Sequence, residues 1–245
     1  MPPMSMSMSM TSESRSGAAP FTPASIAGLW SWHKGNTGLY SDTAGTVPAN
    51  ANGDAVQRIN DLSGNSRNAL LGGVGAPVRS STDVGLGGDS VRFPAGQTVG
   101  LNIASTPGTS FTLLMRLACD GGASNRYIVQ GNTSPWQLGT SGAGDQIVFI
   151  HGGIYAVNGP ARPAGSMICV TWQNPSVAKS RVNGVTNAGS IVNVSPLNTI
   201  TIGAGGGTFT APSAFYLREL LIYSVVLNEV TEIPLLETYM NTADY

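Results

Sequence analysis

The sequence Ala-Phe-Tyr-Leu-Arg-Glu-Leu-Leu-Ile-Tyr occupies residues 214–223, and eight of these ten side chains are aliphatic or aromatic. A run of this kind without Gly or Pro predicts a β-strand. Residues 229–240 follow with helical periodicity, with Asn228 or Thr231 as the N-cap and acidic residues in the first turn. Pro234 fits if it lies in that first turn. The predicted buried stripe of this helix is Ile233, Leu235, Leu236, Tyr239 and Met240.

Upstream of this stretch the chain alternates short strand-like runs with Gly, Pro, Asn and Asp clusters, which is typical of a β-sandwich. Asn183-Gly184 between two short runs predicts a hairpin with a type I′ turn. The clearest further strands are predicted at 111–117, 146–151, 167–172 and 198–202, and weaker ones at 29–32, 56–60, 89–93, 99–103 and 126–130. The sequence therefore predicts an all-β fold, a two-sheet antiparallel sandwich with a short C-terminal helix, over residues 21–245.

Residues 1–20 form a separate segment in this interpretation, an extended N-terminal arm. The segment has neither helical periodicity nor the pattern of a signal peptide. Met4, Met6, Met8 and Met10 alternate with serines, so an extended conformation places four thioethers on one face. We expect the arm to dock on a neighbouring subunit or another protein of an assembly; the alternative is packing against its own domain.

Charged residues make up only 10% of the chain, against a usual share of about 25%. A surface poor in Lys and Glu loses little side-chain entropy or charge solvation when a partner covers it, which favours a packed assembly. Strand and turn composition alone can give the same low charge. With a net charge of −1 and no long apolar run, neither nucleic acid nor a membrane is an expected partner.

Catalytic groups are not evident in the sequence. Retaining glycoside hydrolysis needs two carboxylates about 5 Å apart, and the five glutamates lack an acidic neighbour at strand spacing. His33 and His151 show no metal-binding spacing, and Asp61-Leu62-Ser63-Gly64-Asn65 fits a side-chain-stabilised turn better than a metal loop. Cys119 and Cys169 fit buried thiols, although a disulfide between neighbouring strands stays open. We therefore expect a protein without enzymatic activity, metal or cofactor.

A glycan-contacting surface needs an exposed aromatic ring beside amide or carboxylate groups. Asn132 with Trp136, and His151 with Tyr155, are the residues that fit this requirement. The alternative is that Trp136 and Tyr155 only cover the core or a loop.

Three stretches together resemble the concanavalin A-like, laminin-G-like jelly-roll domains of bacterial and bacteriophage surface proteins. They are Gly28-Leu29-Trp30 leading to Asp61-Leu62-Ser63-Gly64-Asn65, then Val170-Thr171-Trp172 with Arg181-Val182-Asn183-Gly184, and finally 217–223 with Leu227 and the helix. The resemblance implies two curved antiparallel sheets and, in many members, carbohydrate binding or a structural role in a virion.

From the resemblance, the arm and the low charge, we expect a virion structural protein that is assembled in the host cytoplasm. The expected role is a capsid decoration, head-fibre or tail-associated subunit that binds other virion proteins and forms a homo-oligomer. The alternative is a lectin-like module that contacts host surface glycans.

Overall fold

In the computed structural model, two antiparallel β-sheets pack face to face, and one helix covers the outer side of one of them. The structure describes residues 20–72, 75–82, 86, 88–94, 100–119, 126–131, 137–141, 146–151, 154–161, 166–186, 199–203 and 214–242. The predicted all-β, two-sheet architecture with a short C-terminal helix is confirmed. The four methionines of the predicted arm, Met4, Met6, Met8 and Met10, lie outside the described residues.

The elements follow the chain in this order: β1 (Leu29–Lys34), β2 (Leu39–Tyr40), β3 (Arg58–Ile59), β4 (Ala69–Leu71), β5 (Val78–Ser80), β6 (Ser90–Phe93), β7 (Gly100–Ile103), β8 (Phe111–Cys119), β9 (Arg126–Gly131), β10 (Gln137–Ser141), β11 (Gln146–His151), β12 (Ile154–Ala161), β13 (Ser166–Gln173), β14 (Ala178–Val182), β15 (Val185–Thr186), β16 (Ile200–Gly203), β17 (Phe215–Tyr223) and α1 (Glu232–Thr242). A single 3₁₀ turn at Pro23–Ser25 precedes β1.

Seven strands of the eight-stranded sheet follow in the order β15-β14-β13-β8-β17-β6-β5, and the eighth, β1, pairs with β17. β17 pairs with β8 along one edge, while β6 and β1 share its other edge, β6 at Phe215–Leu217 and β1 from Glu219 onward. The nine-stranded sheet has the order β12-β11-β10-β9-β16-β7-β4-β3-β2.

The central strands of the eight-stranded sheet are buried on both faces, which explains their nearly continuous apolar sequences. In β17, Leu220 and Ile222 face the nine-stranded sheet, while Leu221 and Tyr223 face α1. β13 alternates in the same way, with Cys169 toward the nine-stranded sheet. The core under α1 is closed by Ile233, Leu236 and Met240, together with Ile26 from the start of the domain.

Helix α1 begins three residues later than the sequence pattern predicts. Asn228 Oδ1 accepts hydrogen bonds from the backbone N–H groups of Val230 and Thr231, and Glu232 Oε2 accepts one from Asn228 N–H. These bonds hold residues 229–231 as a turn, so that Pro234 falls in the first helical turn, as expected. The predicted buried position of Leu235 is wrong, because its side chain is 45% exposed.

Sequence reasoning missed the strands β2, β4, β5, β10 and β12, of which all but β12 have five residues or fewer. The Asn183-Gly184 turn is confirmed, with φ of +46° and +81° at its two central residues. Both cysteines are free thiols, and burial raises the pKa of Cys169. Among the described residues no helix is long and apolar enough to cross a bilayer.

The first described residues of the domain are fixed against its last elements. The Tyr223 hydroxyl donates a 3.0 Å hydrogen bond to Pro23 O, and the rings of Phe21 and Tyr239 meet edge to face with centroids 5.9 Å apart. The base of the predicted arm therefore lies beside α1.

Candidate functional site

His151 and Tyr155, two of the predicted glycan-contact residues, lie in neighbouring strands near the same end of the nine-stranded sheet. His151 ends β11 and pairs with Ile154, and Tyr155 in β12 pairs with Ile150. Asn132 and Trp136 lie outside the described residues, between the end of β9 at Gly131 and the start of β10 at Gln137. Gln137 pairs with Ile150 in β11, and Ile150 pairs with Tyr155 in β12, so Gln137 and Tyr155 lie on either side of β11 beside His151.

Glu219 is the glutamate that lies within a strand, and it is fully buried. Its Oε1 accepts hydrogen bonds from Trp32 Nε1 at 2.6 Å and from the Tyr239 hydroxyl at 3.3 Å. The Nζ of Lys34 lies 5.2 Å from the Trp32 ring centroid. Glu219 thus connects β1, β17 and α1.

Glu229 and Glu232 also contribute to packing at the start of the helical segment. Glu229 Oε1 accepts hydrogen bonds of 3.0 Å from Trp172 Nε1 and from Lys179 Nζ. Glu232 caps the backbone of Asn228, as described above. Glu219, Glu229 and Glu232 therefore each bind a different set of partners.

A pocket of about 240 Å³ lies between the β14–β15 hairpin and α1. We name it the hairpin–helix pocket, and it is lined by Ile168, Asn183, Gly184, Pro234, Glu237 and Asn241. Glu237 Oε2 forms a 2.9 Å ion pair with Arg181 Nη2, and the two side chains are only 10% and 16% exposed. Burial raises the pKa of Glu237 above its ordinary value, although the Arg181 guanidinium opposes this shift.

The local sequence builds the pocket from two sides. Asn183 Oδ1 accepts a 2.8 Å hydrogen bond from Ile168 N–H, which holds the hairpin turn over β13. On α1, Pro234, Glu237 and Asn241 follow at spacings of three and four, so they share one face of the helix. Sequence reasoning missed Glu237, although its spacing of four from Ile233 and three from Met240 places it on the buried side.

The Asp61 turn is confirmed as a structural element. Asp61 Oδ1 accepts hydrogen bonds from Trp32 N and Ser63 N, and Oδ2 accepts from Ser63 Oγ and Arg67 N, all at 2.8–2.9 Å. Burial alone would raise the pKa of Asp61, but these hydrogen bonds outweigh it and hold the pKa below its ordinary value. Across the described part of the chain, no three His, Cys, Asp or Glu side chains form a metal-binding group.

A second cleft of about 240 Å³ lies at the other edge of the eight-stranded sheet, where Arg79, Arg92 and Tyr216 line it. Arg79 Nη1 donates to the carbonyls of Ala49 and Asn50, and Arg79 Nη2 is paired with Asp89. Arg92 lies over the Tyr216 ring with its Cζ 5.8 Å from the centroid. These contacts give Arg79 a structural role in joining the 49–54 loop to the sheet.

The fold places this chain in the class of antiparallel β-sandwich domains, and solved structures resemble it in fold. A sialidase from Trypanosoma rangeli matches with a TM-score of 0.63 at 17% identity, over 91% of this chain and 35% of the sialidase. The receptor binding domain of botulinum neurotoxin C/D mosaic serotype matches with a TM-score of 0.57 at 13% identity, over 86% of this chain and 51% of that domain. This chain therefore spans about a third of the sialidase.

Domain 4 of AbnA, an extracellular arabinanase of Geobacillus stearothermophilus solved in complex with arabinotriose, is similar over nearly its whole length. Its TM-score is 0.55 at 11% identity, over 82% of this chain and 94% of that domain. No protein-family model matches the sequence, and no curated protein matches it. The likeness to these structures establishes the sandwich fold.

Proposed function

We propose that this chain is a non-catalytic carbohydrate-binding module. The observation that carries the proposal is the likeness to the arabinanase domain, which was solved with a bound oligosaccharide and of which 94% is covered. The match extends over almost the whole of that separate domain, while it spans only a third of a sialidase. Lectin-like recognition needs a contact surface on a rigid sandwich, and it does not need reacting groups.

The contacts of the described glutamates support a role without catalysis. An indole donates to Glu219, another indole donates to Glu229, and a guanidinium pairs with Glu237. The partner lies on a different element in each case. Glycoside hydrolysis by paired carboxylates needs two such groups facing one bond. A screen of hydrolysis against arabinan, sialosides and other polysaccharides should give no product above background, and turnover of any of them would contradict the proposal.

Glycan contact at Asn132, Trp136, His151 and Tyr155 belongs to the same proposal. The pairing of β10, β11 and β12 supports it, because the described neighbours of all four positions lie at one end of these strands. We expect binding on a glycan array, with Trp136→Ala at least tenfold weaker because the ring supplies stacking surface. Trp136→Phe should retain most binding, and the thermal unfolding midpoint serves as the folding control.

A virion structural role, as a capsid decoration, head-fibre or tail-associated subunit, is the second candidate. The specific observation in its favour is the fixed base of the arm, where Phe21 packs on Tyr239 beside α1. A segment that starts from a rigid base can be directed toward a neighbouring subunit. The low charge of the chain also favours a surface that another protein covers.

Deletion of residues 1–20 tests this second role. We expect the deletion variant to keep its unfolding midpoint, since the described contacts of the domain begin at Phe21, and to lose oligomerisation or attachment to particles. Light scattering and electron microscopy of particles measure the loss. An unchanged assembly would remove the arm from the proposal.

A further inference from the structure

Arg67 lies in the turn that follows Asp61, and its guanidinium is held from two sides. Its Nη1 donates a 2.7 Å hydrogen bond to the backbone oxygen of Trp30. The guanidinium also lies over the Trp30 ring, with Cζ 4.6 Å from the ring centroid. These two contacts hold in one orientation a side chain that would otherwise lose much rotamer entropy on binding a ligand.

The Nε and Nη2 atoms of Arg67 remain available to a ligand. Neither atom has a hydrogen-bond partner among the described residues, and both keep accessible surface, whereas the Nε of Arg181 is buried. Nε–H and the adjacent Nη2–H form the planar fork that pairs with the two oxygens of a carboxylate. The contacts with Trp30 therefore leave the carboxylate-binding edge of the guanidinium open.

No described carboxylate forms an ion pair with the Arg67 guanidinium. Asp61 accepts a hydrogen bond from the backbone N–H of Arg67, and not from its side chain. By comparison, Arg79 pairs with Asp89, and Arg181 pairs with a glutamate. Because arginines that are partly removed from water usually have an acidic partner, a half-buried Arg67 without one points to an anion from outside the chain.

Arg67 lines a pocket of about 210 Å³ at the place where β4 begins and β7 ends. We name it the Arg67 pocket, and its wall includes Ser66, Asn68, Leu70, Ala104 and Ser105. No Asp or Glu is among the described residues that line it. The guanidinium therefore provides the only charged side chain of this wall, and that charge is positive.

The other lining groups suit a sugar ring. Asn68 Oδ1 accepts the Asp61 N–H at 2.9 Å, which leaves the Asn68 amide nitrogen as a donor. The Ser105 hydroxyl has accessible surface and no partner in the described part of the chain. Leu70 is 37% exposed and offers an apolar surface to ring C–H groups. The volume is below the roughly 300–1,000 Å³ of sites for drug-sized ligands, so we expect one ring to fill the pocket.

We propose that the Arg67 pocket binds a sugar ring that carries a carboxylate, such as a uronic acid or a sialic acid, with both carboxylate oxygens on Arg67 Nε and Nη2. A neutral sugar would leave this fork without its acceptors, and an ammonium group would be repelled. The inference rests on the proposed carbohydrate-binding function and adds an acidic ligand class to it. The site is separate from the predicted contact residues at β10–β12, because β16 and β9 lie between β7 and β10.

The test uses the full chain and three acidic sugars, glucuronate, galacturonate and N-acetylneuraminate. The controls are their methyl esters, which keep the ring and lose the charge, and the simple anions acetate and phosphate. Chemical-shift perturbation by NMR measures weak binding and locates it. We expect at least one acidic sugar to bind and to shift the Asn68 side-chain amide. Its methyl ester, acetate and phosphate should each bind at least tenfold more weakly.

Two variants test the site. Ser105→Asp places a negative charge in the pocket at a hydroxyl that the protein does not use, so it should weaken binding of the acidic sugar at least tenfold. Ser176→Asp, at an exposed serine between β13 and β14 of the other sheet, is the matched control and should bind like the wild type. Arg67→Lys keeps the charge but loses the planar fork, and it should also weaken binding at least tenfold. Unfolding midpoints show whether each variant is folded, and Ser105→Asp decides if Arg67→Lys is not.

The outcomes separate this inference from the proposed function. Failure of the wild type to bind any glycan, acidic or neutral, would overturn both. Glycan binding that persists unchanged in Ser105→Asp would overturn the Arg67 pocket and leave the general function intact. Binding of the methyl esters as tight as that of the acids would overturn the acidic ligand class. Binding of acetate or phosphate as tight as that of the acidic sugars would show a simple anion site and overturn the assignment to a sugar.

Discussion

Trp32 and Glu219 are joined by a 2.6 Å hydrogen bond from the indole nitrogen to Oε1. The two residues belong to β1 and β17, which are 187 positions apart in the sequence, and the bond lies on the side of the sheet that α1 covers. Tyr239 from α1 donates to the same carboxylate oxygen, so three elements meet at one acceptor. Burial, with the neighbouring Glu219 charge, raises the pKa of Tyr239.

Glu219→Ala should lower the free energy of unfolding by about 3 kcal/mol or more, because it leaves the Trp32 indole and the Tyr239 hydroxyl without their acceptor. Glu229→Ala is the matched control. Glu229 also accepts from an indole and an ammonium, but its side chain is 41% exposed, so we expect a loss of about 1 kcal/mol. Urea unfolding of both variants measures the difference, and equal losses would contradict it.

The free energy of unfolding should decrease as the pH is lowered, because His33 is fully buried. Burial lowers the pKa of His33 from 6.5 to about 4, although the Asp61 charge and the backbone at Ile59 and Asn60 oppose the shift. The unfolded chain binds this proton first, so stability is complete above pH 6.5 and is lost as the pH falls toward 4. Between pH 7 and pH 5 we expect a loss of about 2 kcal/mol from this residue.

The control for this pH dependence is His33→Gln, which removes the titrating group. Its free energy of unfolding should change less between pH 7 and pH 5 than that of the wild type. Parallel pH profiles for the two proteins would show that His33 is not the source.

Gly35 lies where β1 ends against β17, and a side chain does not fit there. A Cβ at this position would stand 2.2 Å from the backbone oxygen of Leu217. We expect Gly35→Ala to cost about 3 kcal/mol or more through overpacking. Gly53→Ala is the control, since it meets no atom within 4 Å and carries only the strain of φ +88°, which costs about 1–2 kcal/mol. Thermal unfolding of both variants should rank them in this order.

Asp61→Asn should destabilise the domain by about 2 kcal/mol. The carboxylate accepts three backbone N–H groups and one hydroxyl, and an amide would turn a donor toward one of them. Because protein donors already occupy both oxygens, addition of Ca²⁺ or EDTA should leave the wild-type unfolding midpoint unchanged. A calcium-dependent midpoint would show that the turn binds metal after all.

The long strands and the tight hairpin could be predicted from the sequence because their signals are local. β8, β13 and β17 have long apolar runs, and Asn183-Gly184 supplies the positive φ angles of its turn. The two-residue strand β2 owes its pairing to its neighbour in the sheet, so local propensity carries little information about it.

The candidate pocket could not be predicted in the same way, because its parts come from distant segments. Glu237 and Arg181 meet only after α1 has packed across β13 and β14. The helix pattern did contain a signal. Glu237 lies at the spacing of the buried residues of α1 and Leu235 does not, but hydrophobicity alone predicts that Leu235 is the buried residue. A polar residue at a core position was the informative feature, as buried charges usually need a partner or a task.

The position of β17 in the eight-stranded sheet has a consequence for synthesis. β17 is the last strand of the described chain, yet β8, β6 and β1 all pair with it. During translation those strands leave the ribosome with their partner still missing, so the nascent chain exposes unpaired edges until residue 223 has emerged. We expect chains that stop before this point to depend on chaperones or to aggregate, even though most of the sandwich sequence is already present.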